Sequence, residues 1–450
     1  MDTTTPRPDI QIAYEAIERK SPAFTQLYGY YDGDQPRIYS DKHIRKVFGR
    51  DAQRFQQNWC AVVVDSALDR LNLTGYSAED EAAEKAMQAV WDANELGLMS
   101  DDVHEGALVC GECYAVVWPH EQTGDVEVYY NDPRLCHIQY DAERPRVKRW
   151  AAKRWLDDDG YYRMMLYYPE RLEYYRSDKV AEYLHGFDGW KSLRPLEPAT
   201  APNATGEIPV FHWRLHRRKT KSELVNVTAL QDGINRLLTN MMVSAEYGAF
   251  AQRWIMSNAE IDNLKNSPNE IWHLPEGASV GQFDATTLEN FFGAMDNLAS
   301  SIGVISRTPK HYFYQDTGGN ISGEALIALE APLNKKCESY IESFTSSWRR
   351  MMVYALKLSG MTVDPAAINP VYAEPATVQP RTEAEILQLE TGAGLPVLSS
   401  LRRHGADQAE LDQVAQEMAE AKAAEPTVQP LGLSAGLEGI PVAGAEEAAV

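Results

Sequence analysis

Residues 322–358 read SGEALIALEAPLNKKCESYIESFTSSWRRMMVYALKL, and this stretch decides the fold. Its apolar side chains recur every three or four positions, at Leu326, Leu329, Leu333, Cys337, Ile341, Phe344, Trp348, Met352 and Ala355. Such spacing predicts one long helix with a single apolar stripe. Pro332 lies inside this helix, lacks a backbone N–H and clashes with the carbonyl of Ala328, which predicts a kink near that turn.

Two further helices precede the long one. Residues 222–248 carry a stripe and Ser222 is positioned to cap their first turn; the stripe comprises Val227, Leu230, Ile234, Leu237, Met241 and Ala245. Residues 287–306 carry a second stripe, formed by Leu288, Phe291, Met295, Leu298, Ile302 and Ile305. Residues 250–286, with several Pro and Gly, predict a short segment of strand and turn between them.

The N-terminal half divides into a helical part and a β part. Residues 10–110 are predicted to be mainly helical, with one helix over Asp51 to Leu71 and another capped by Ser100. Residues 112–213 contain β-branched and aromatic runs separated by turn formers, which predicts a mostly antiparallel β region. Within that region, the prolines of residues 195–206 predict a loop before a short strand at 208–211. The fold class is therefore α+β.

Three segments complete the chain. Residues 363–380 are rich in proline and predicted to be extended, and residues 381–423 should form three short helices broken at 392–396 and at Gly405. The tail from about residue 424 is rich in Ala, Gly, Glu and Pro, which predicts disorder.

Composition restricts the class of function. The net charge of the 450 residues is −22, whereas proteins that grip a nucleic-acid backbone rely on Lys and Arg to replace counterions. Tight static binding to DNA is thereby disfavoured, but a surface past which DNA slides is compatible with like charge. Five scattered cysteines do not form a disulfide pattern, and neither a signal peptide nor an apolar run of roughly 20 residues is seen. We expect a soluble, reduced, intracellular protein without a membrane partner.

One group of residues suggests an enzyme. His104-Glu105, Cys110-Gly111-Glu112-Cys113 and Cys136-His137 supply ligand types that zinc prefers, and a zinc-dependent nucleic-acid enzyme is one alternative. The order His-Glu-Gly and the Val109-Cys110 junction depart from the deaminase pattern, and Cys113 enters a predicted strand. We therefore interpret the cysteines as structural thiols and expect no metal, no cofactor and no catalytic residue.

Two other patterns have plain structural explanations. Gly318-Gly319-Asn320-Ile321-Ser322-Gly323 lacks the Lys and Ser/Thr of a phosphate loop, and favours a flexible loop before a helix. A basic cluster extends from His212 to Lys221, and both a solvated turn and a contact with phosphate or an acidic neighbouring subunit remain open for it.

Several short motifs in a fixed order resemble the portal proteins of long-tailed bacteriophages. They cover about residues 28–330 and are Tyr28-Gly29-Tyr30-Tyr31-Asp32-Gly33-Asp34-Gln35, Asn58-Trp59-Cys60-Ala61-Val62-Val63-Val64-Asp65, Gly206-Glu207-Ile208-Pro209-Val210, Ser222-Glu223-Leu224, Leu230-Gln231-Asp232-Gly233-Ile234-Asn235 and Ile321-Ser322-Gly323-Glu324-Ala325-Leu326. Residues 120–200 and the tail match poorly.

The resemblance implies an architecture. Residues 1–221 would form a wing of mixed α/β structure, 222–248 and 287–306 the two stem helices, and 249–286 a clip between them. Residues 307–321 would be a tunnel loop, 322–380 the kinked wing helix with its extended segment, 381–423 a helical crown, and 424–450 a disordered tail.

The resemblance also implies a function. Portal proteins form a ring, usually of twelve subunits, at one capsid vertex of the virion, and assemble in the host cytoplasm. Double-stranded DNA passes through the ring during packaging and ejection. The implied partners are the terminase large subunit, the major capsid or scaffolding protein, and a head-completion or adaptor protein. Another structural protein of the phage head is the second alternative.

The tunnel loop supplies the candidate residues for contact with DNA in the channel. They are Lys310, His311, Tyr312, Phe313, Tyr314, Gln315, Gly318 and Gly319. The two glycines provide conformational freedom, and the others provide a positive charge, a titratable ring, aromatic rings and an amide. With so few cations, each contact with phosphate should be weak.

Overall fold

The fold is described from a computed structural model of the chain. It describes residues 8–35, 56–120, 122–181, 190–216, 219–249, 253–257, 277–282, 287–314, 323–375, 380–403, 406 and 408–424. The chain divides into two units, Met1–Ala384 and Glu385–Val450.

The described part of the first unit opens with four helices. They are α1 (Asp9–Asp32), α2 (Trp59–Leu68), α3 (Glu81–Ala93) and α4 (Leu96–Cys110). Asn58 and Asp80 cap α2 and α3 through their side-chain oxygens, as short polar residues at an N-cap do. The described ranges within residues 10–110 are mainly helical, as predicted, but the helix expected over 51–71 is shorter. Residues 56–58 are not helical and α2 ends at Leu68, while residues 51–55 lie outside the described residues.

The prediction that Ser100 caps a helix is wrong. Helix α4 already begins at Leu96, because Asn94 ends α3 and Glu95 turns the chain with a positive φ of 47°. Ser100 lies inside α4, where its hydroxyl donates a hydrogen bond to the Gly97 carbonyl at 2.8 Å.

The β region is antiparallel, as predicted. Its strands are β2 (Glu112–Pro119), β3 (Val126–Asn131), β4 (Cys136–Tyr140), β5 (Lys148–Leu156), β6 (Tyr161–Tyr167), β7 (Arg171–Val180), β8 (Leu193–Pro202) and β9 (Val210–Arg214). They form a three-stranded sheet with the order β3-β2-β9 and a five-stranded sheet with the order β4-β5-β6-β7-β8. An earlier strand, β1 (Leu73–Ser77), pairs with the late strand β12 (Asn369–Tyr372).

The loop predicted over residues 195–206 is wrong for its first part. Residues up to Pro202 belong to β8, which pairs with β7 along the edge of the five-stranded sheet. An edge strand accepts proline because half of its backbone N–H groups need no partner in the sheet.

Two helices and a small hairpin follow. Helix α5 (Thr228–Ala249) leads to β10 (Arg253–Met256) and β11 (Ser279–Gln282), which pair with each other, and helix α6 (Glu289–Ser306) returns. Gly233 permits the two helices to approach closely, since a Cβ there would lie 3.2 Å from Leu298 Cδ1. Helix α5 begins six residues later than the expected cap at Ser222, whose hydroxyl instead accepts a hydrogen bond from the Leu224 N–H within a turn.

The long helix is present as α7 (Gly323–Leu358), with 36 residues and Pro332 inside it. Most of the predicted stripe is buried; Leu333, Cys337, Phe344, Trp348, Met352 and Ala355 are fully inaccessible. Leu326 and Leu329 are a correction, because they are 38% and 51% exposed. The described residues of the same unit leave residues 325–329 of the helix uncovered, whereas Glu330 is buried. The bend at Pro332 stays a prediction.

The core of the first unit forms around α7. Buried side chains of α2, α4 and β2 share one apolar cluster with α7, and the Trp213 and Trp348 rings lie 4.7 Å apart at its centre. Two smaller clusters fill the space against the five-stranded sheet, one of them beneath the first turns of α1. The long helix is therefore the element on which the other parts of the unit are assembled.

The second unit is helical. It contains most of α8 (Pro380–Gly392), together with α9 (Val397–Arg403) and α10 (Gln408–Ala424). The three short helices predicted for residues 381–423 are confirmed, whereas Gly405 and the tail 425–450 lie outside the described residues. None of the helices in the described ranges is both long and apolar enough to cross a bilayer.

Candidate functional site

The first turns of α5 are fastened to the N-terminal helices by buried amide side chains. Gln231 accepts a hydrogen bond from the Trp59 N–H at 2.9 Å and donates one to the Gln57 carbonyl at 2.5 Å. Asn235, one turn later, accepts from the Gln57 N–H at 3.1 Å. Both amides are almost fully buried, so breaking these bonds would leave unsatisfied polar groups in the core.

The same amide network continues into α1. Asn58 donates to the Tyr31 carbonyl at 2.6 Å and accepts from Gln35 at 3.2 Å, and Gln35 in turn accepts from Asn235. The Tyr30 hydroxyl adds a hydrogen bond to the Asp232 carboxylate at 2.9 Å. Three of the motifs that carried the resemblance, separated by up to 200 residues, therefore meet at the base of α5.

A buried lysine of α7 holds the same end of the pair formed by α5 and α6. Lys336 donates to the Ser306 carbonyl, in the last turn of α6, at 2.7 Å and to the Glu223 carboxylate, just before α5, at 2.8 Å. The side chains of Lys336 and Glu223 are each 8% exposed, and Tyr340 also donates to Glu223. A cation at a helix C-terminus is favoured by the helix dipole. One residue thus ties the start of α5 and the end of α6 to α7.

Arg70 forms a second junction with α7, near Pro332. Its guanidinium pairs with Glu330 at 3.2 Å and donates to Asn334 at 2.8 Å and to the Tyr312 hydroxyl at 2.8 Å. The side chains of Arg70 and Glu330 are each 8% exposed. This cluster links α2, the segment after α6, and the first turns of α7.

The segment 307–314 is packed against the core. Residues Lys310–Tyr312 form a single 3₁₀ turn, the Trp59 ring contacts Phe313 and Tyr314 at centroid distances of 5.7 and 5.1 Å, and Phe313 is 9% exposed. A free loop beginning at residue 307 was expected, whereas the described part is anchored by these aromatic contacts. Any projecting portion begins after Tyr314.

The polar candidates of this segment also have partners. Lys310 pairs with Asp296 of α6 at 3.0 Å, with both side chains about half exposed, and His311 lies 3.6 Å from Glu330. Gln315, Gly318 and Gly319 lie outside the described residues. The assignment of these eight residues to a DNA channel stays a prediction.

The residues of the zinc hypothesis serve the core instead. His104 stacks on Phe344 at 5.0 Å and accepts a hydrogen bond from the Trp348 indole N–H at 3.0 Å, and burial lowers its pKa to about 3. Cys110 ends α4 and Cys113 lies in β2, and burial raises the pKa of both thiols well above its ordinary value. Among the described residues, no group of three His, Cys, Asp or Glu side chains is arranged to hold a metal.

Sequence reasoning missed Lys336, Gln231 and Asn235. A signal for them was available: Lys336 is a cation beside Cys337 on the apolar stripe of α7, and Gln231 and Asn235 are amides one turn apart on the stripe of α5. A polar side chain on an apolar stripe indicates a buried partner, but periodicity does not name that partner.

Two packed helices lead into and out of a pair of antiparallel strands, and one long proline-containing helix holds the adjoining ends of both. The family model described as "Phage portal protein, SPP1 Gp6-like" matches residues 12–426, and the chain belongs to this family. It is similar to the portal protein of Mycobacterium phage L5, with 24% identity over 412 residues that cover 85% of this chain and 82% of that protein. It is also similar to the portal protein of Mycobacterium phage D29, with 25% identity over 369 residues, covering 74% and 72%.

Membership of this family decides between the alternatives raised by the sequence. Portal proteins are structural components of the virion and not enzymes, so the zinc-dependent enzyme is set aside. The family further implies an oligomeric ring at a capsid vertex.

Proposed function

We propose that this chain forms a closed ring of twelve copies through which double-stranded DNA is packaged, retained and ejected at one capsid vertex. The observation that carries the proposal is the pair α5 and α6, whose adjoining ends are both held by Lys336 of α7. Two helices that are rigidly fixed at one end and joined by a hairpin at the other suit the wall of a channel.

The regional assignment follows the same logic. Helices α5 and α6 would be the stem, 249–286 the clip, 1–221 most of the wing with α7, and 381–423 the crown. The amide network at Gln231 and Asn235 supports a wing and stem that move as one body, because it joins α5 to α1 and α2 through buried hydrogen bonds.

We assign the docking of partners to the end of the α5 and α6 pair that carries β10 and β11. Met256 and Val280, on the two paired strands β10 and β11, are 66% and 52% exposed. Exposed apolar side chains of this kind favour contact with another protein. We assign this end to the terminase large subunit during packaging and to the head-completion or adaptor protein afterwards, and the wing to the major capsid or scaffolding protein.

The ring is tested by negative-stain imaging and light scattering of the purified chain over a range of salt and protein concentrations. Rings with a central hole and the mass of about twelve chains are expected, since cyclic oligomers close by repeated use of one interface. Monomers or dimers under every condition would contradict the proposal. Complementation of a phage that lacks this gene then tests whether the rings package DNA.

The channel assignment needs a separate test, because Tyr312 and Phe313 are packed and cannot be deleted without damage to the core. We expect a variant in which residues 315–320 are replaced by a two-residue Gly-Ser link to form rings but to package or retain less DNA. A variant with six Gly and Ser residues at the same positions is the length-matched control. Packaging at the wild-type level by the shortened variant would show that the loop is only a connector.

A further inference from the structure

One face of the N-terminal helices is strongly acidic. Its carboxylates come from the end of α1, from α2 and from α4, and this acidic face comprises Asp32, Asp65, Asp69, Asp101, Asp102 and Glu105. Asp32, Asp69, Asp101 and Asp102 are exposed, and the Tyr31 hydroxyl reaches both Asp65 and Glu105, at 2.9 and 3.4 Å.

The carboxylates of the acidic face repel one another. Burial and then the neighbouring Asp102 and Asp69 carboxylates raise the pKa of Asp101. Burial raises the pKa of Glu105, and Asp102, Asp32 and Asp65 raise it further against the hydrogen bond from Tyr31. Such a cluster gains from a positively charged partner. No metal-binding arrangement of three ligands occurs within the described ranges, so a divalent ion does not answer this need.

A basic cleft contrasts with this face. It has a volume of about 360 Å³ and lies where the turn before α5, the end of α6 and the middle of α7 meet. Its cationic side chains are Lys221, Arg307, Lys335 and Lys336, and His216 also lines it. Lys336 is paired with Glu223, whereas the other three cations and His216 occupy exposed positions. Ile305 lines the cleft and, like the adjacent Val304, is an exposed apolar residue, at 50% and 81%.

The acidic face and the basic cleft lie on opposite sides of the contact between α2 and α7. Cys337 and Asn334 of α7 contact Ala67 of α2 and Arg70 just beyond its end. Lys335 and Cys337 are two residues apart. At about 100° of rotation per residue, their side chains are therefore about 160° apart around α7, measured the shorter way. By the same rule, Asp65 and Asp69 lie about 160° around α2 from Ala67.

We propose that the acidic face of one copy of this chain docks into the basic cleft of the next copy, as the repeated contact that closes the ring. The proposal rests on the ring of the proposed function and adds the surfaces that form it. Two complementary surfaces on opposite sides of one subunit produce head-to-tail association. Val304 and Ile305 would supply the apolar centre, and the charged groups the rim, of an ordinary protein interface.

Nucleic acid is the competing occupant of the basic cleft. It would leave the acidic face without a partner, whereas a second copy matches both surfaces at once. The net charge of −22 makes every other copy of the chain acidic overall, and charge complementarity therefore favours a copy of the same protein in the cleft.

The test uses two charge-reversed chains. One carries Asp101→Lys with Asp102→Lys, which places two lysines in the acidic face; the other carries Lys221→Glu with Lys335→Glu, which places two glutamates in the basic cleft. Each alone should raise the concentration for half-assembly at least about tenfold, because like charges then face each other. An equimolar mixture should regain rings, in which the two chains alternate. Masses from sedimentation and light scattering give the readout.

Matched controls separate the interface from net charge. Two control variants change the net charge by the same amounts at exposed positions elsewhere, and both should assemble like the wild type. They are Glu143→Lys with Glu170→Lys, and Lys179→Glu with Lys191→Glu. Circular dichroism checks the fold of every variant.

Three results would overturn the proposal while the ring of the proposed function stands. They are normal assembly of both reversed chains, failure of their mixture to assemble, or loss of DNA packaging by the Lys221→Glu, Lys335→Glu chain with assembly intact. A wild-type chain that never forms rings would overturn both proposals together.

Discussion

At the residue scale, the structure depends on a few polar groups buried among apolar ones. Lys336 with Glu223, Arg70 with Glu330, and the amides of Gln231 and Asn235 each join elements that are distant in the sequence. Buried ion pairs contribute little net stability compared with apolar residues, but removing one partner is costly because the other charge stays buried. Their value here is the specific geometry that they impose on α5 and α6.

Lys336→Met tests this anchor. We expect the free energy of unfolding to fall by about 3–5 kcal/mol, because the Glu223 carboxylate would remain buried without its cation. The neighbouring Lys335→Met is the matched control: Lys335 is 78% exposed, so its loss should cost at most about 1 kcal/mol. Urea unfolding of unassembled chains measures both. Equal effects of the two substitutions would contradict a structural role for Lys336.

His104 predicts a pH dependence. Folding lowers its pKa from 6.5 to about 3, so the unfolded chain takes up the proton first and stability falls as the pH drops below 6.5. His104→Gln can still accept from the Trp348 N–H but does not titrate. Between pH 6 and 4, the free energy of unfolding of the variant should fall by about 1.4 kcal/mol less per pH unit than that of the wild type. The free energy of unfolding of each protein is taken relative to its value at pH 7.5. Equal changes with pH in the variant and the wild type across this range would contradict the assignment.

At the element scale, the turns and the interrupted helix set how the pieces connect. Gly111 joins α4 to β2 with a φ of +86°, and the backbone of Lys221 passes directly beside it. This close approach brings the segment before α5 onto the end of α4, where Glu223 N–H also donates to the Leu108 carbonyl at 3.1 Å. One glycine therefore connects the N-terminal helices, the β region and the segment that leads into α5.

Gly111→Ala should be strongly destabilising for two separable reasons. The positive φ costs about 1–2 kcal/mol, and a Cβ only 2.6 Å from the Lys221 carbonyl carbon adds a clash of about 1–3 kcal/mol. Gly124→Ala is the control, since Gly124 has a φ of +76° but no atom within 4 Å of its ideal Cβ, and it isolates the first cost. Thermal unfolding compares the two variants, and an equal loss of stability in both would contradict the close approach at Gly111.

Pro332 tests the predicted bend of α7. Pro332→Ala restores an N–H for the Ala328 carbonyl and should raise the stability of the unassembled chain by up to about 3 kcal/mol. A straighter α7 would also displace its exposed turn at Leu326 and Leu329, so we expect fewer closed rings in micrographs. Unchanged stability together with unchanged rings would indicate that the proline does not bend the helix.

At the scale of the whole molecule, charge determines how strongly the ring binds DNA. The chain carries 65 acidic against 43 basic residues, and a large share of the exposed cations in the basic cleft is assigned to contacts between copies. A chain with this excess of acidic residues repels the phosphate backbone more than it attracts it, which favours weak contact over tight binding.

Free rings should therefore bind double-stranded DNA weakly. We expect a dissociation constant above about 10 µM at physiological salt, in the range of non-specific binding by a protein with few phosphate contacts. Fluorescence anisotropy of a labelled duplex measures it, and a basic DNA-binding protein serves as the positive control. Submicromolar binding at this salt would contradict a sliding channel.

The sequence by itself determined the helices, the antiparallel β region, the three short C-terminal helices and the resemblance to portal proteins. These features follow from side-chain periodicity, turn residues and motif order, all of which are local properties of the chain. The tertiary structure alone decided that Pro195 and Pro198 lie in an edge strand, that Tyr312 and Phe313 are anchored, and that Lys336 joins α5, α6 and α7. A period of 3.6 residues tells which face of a helix is buried. It does not tell which distant residue meets that face, because that choice depends on how all the elements fit together in space.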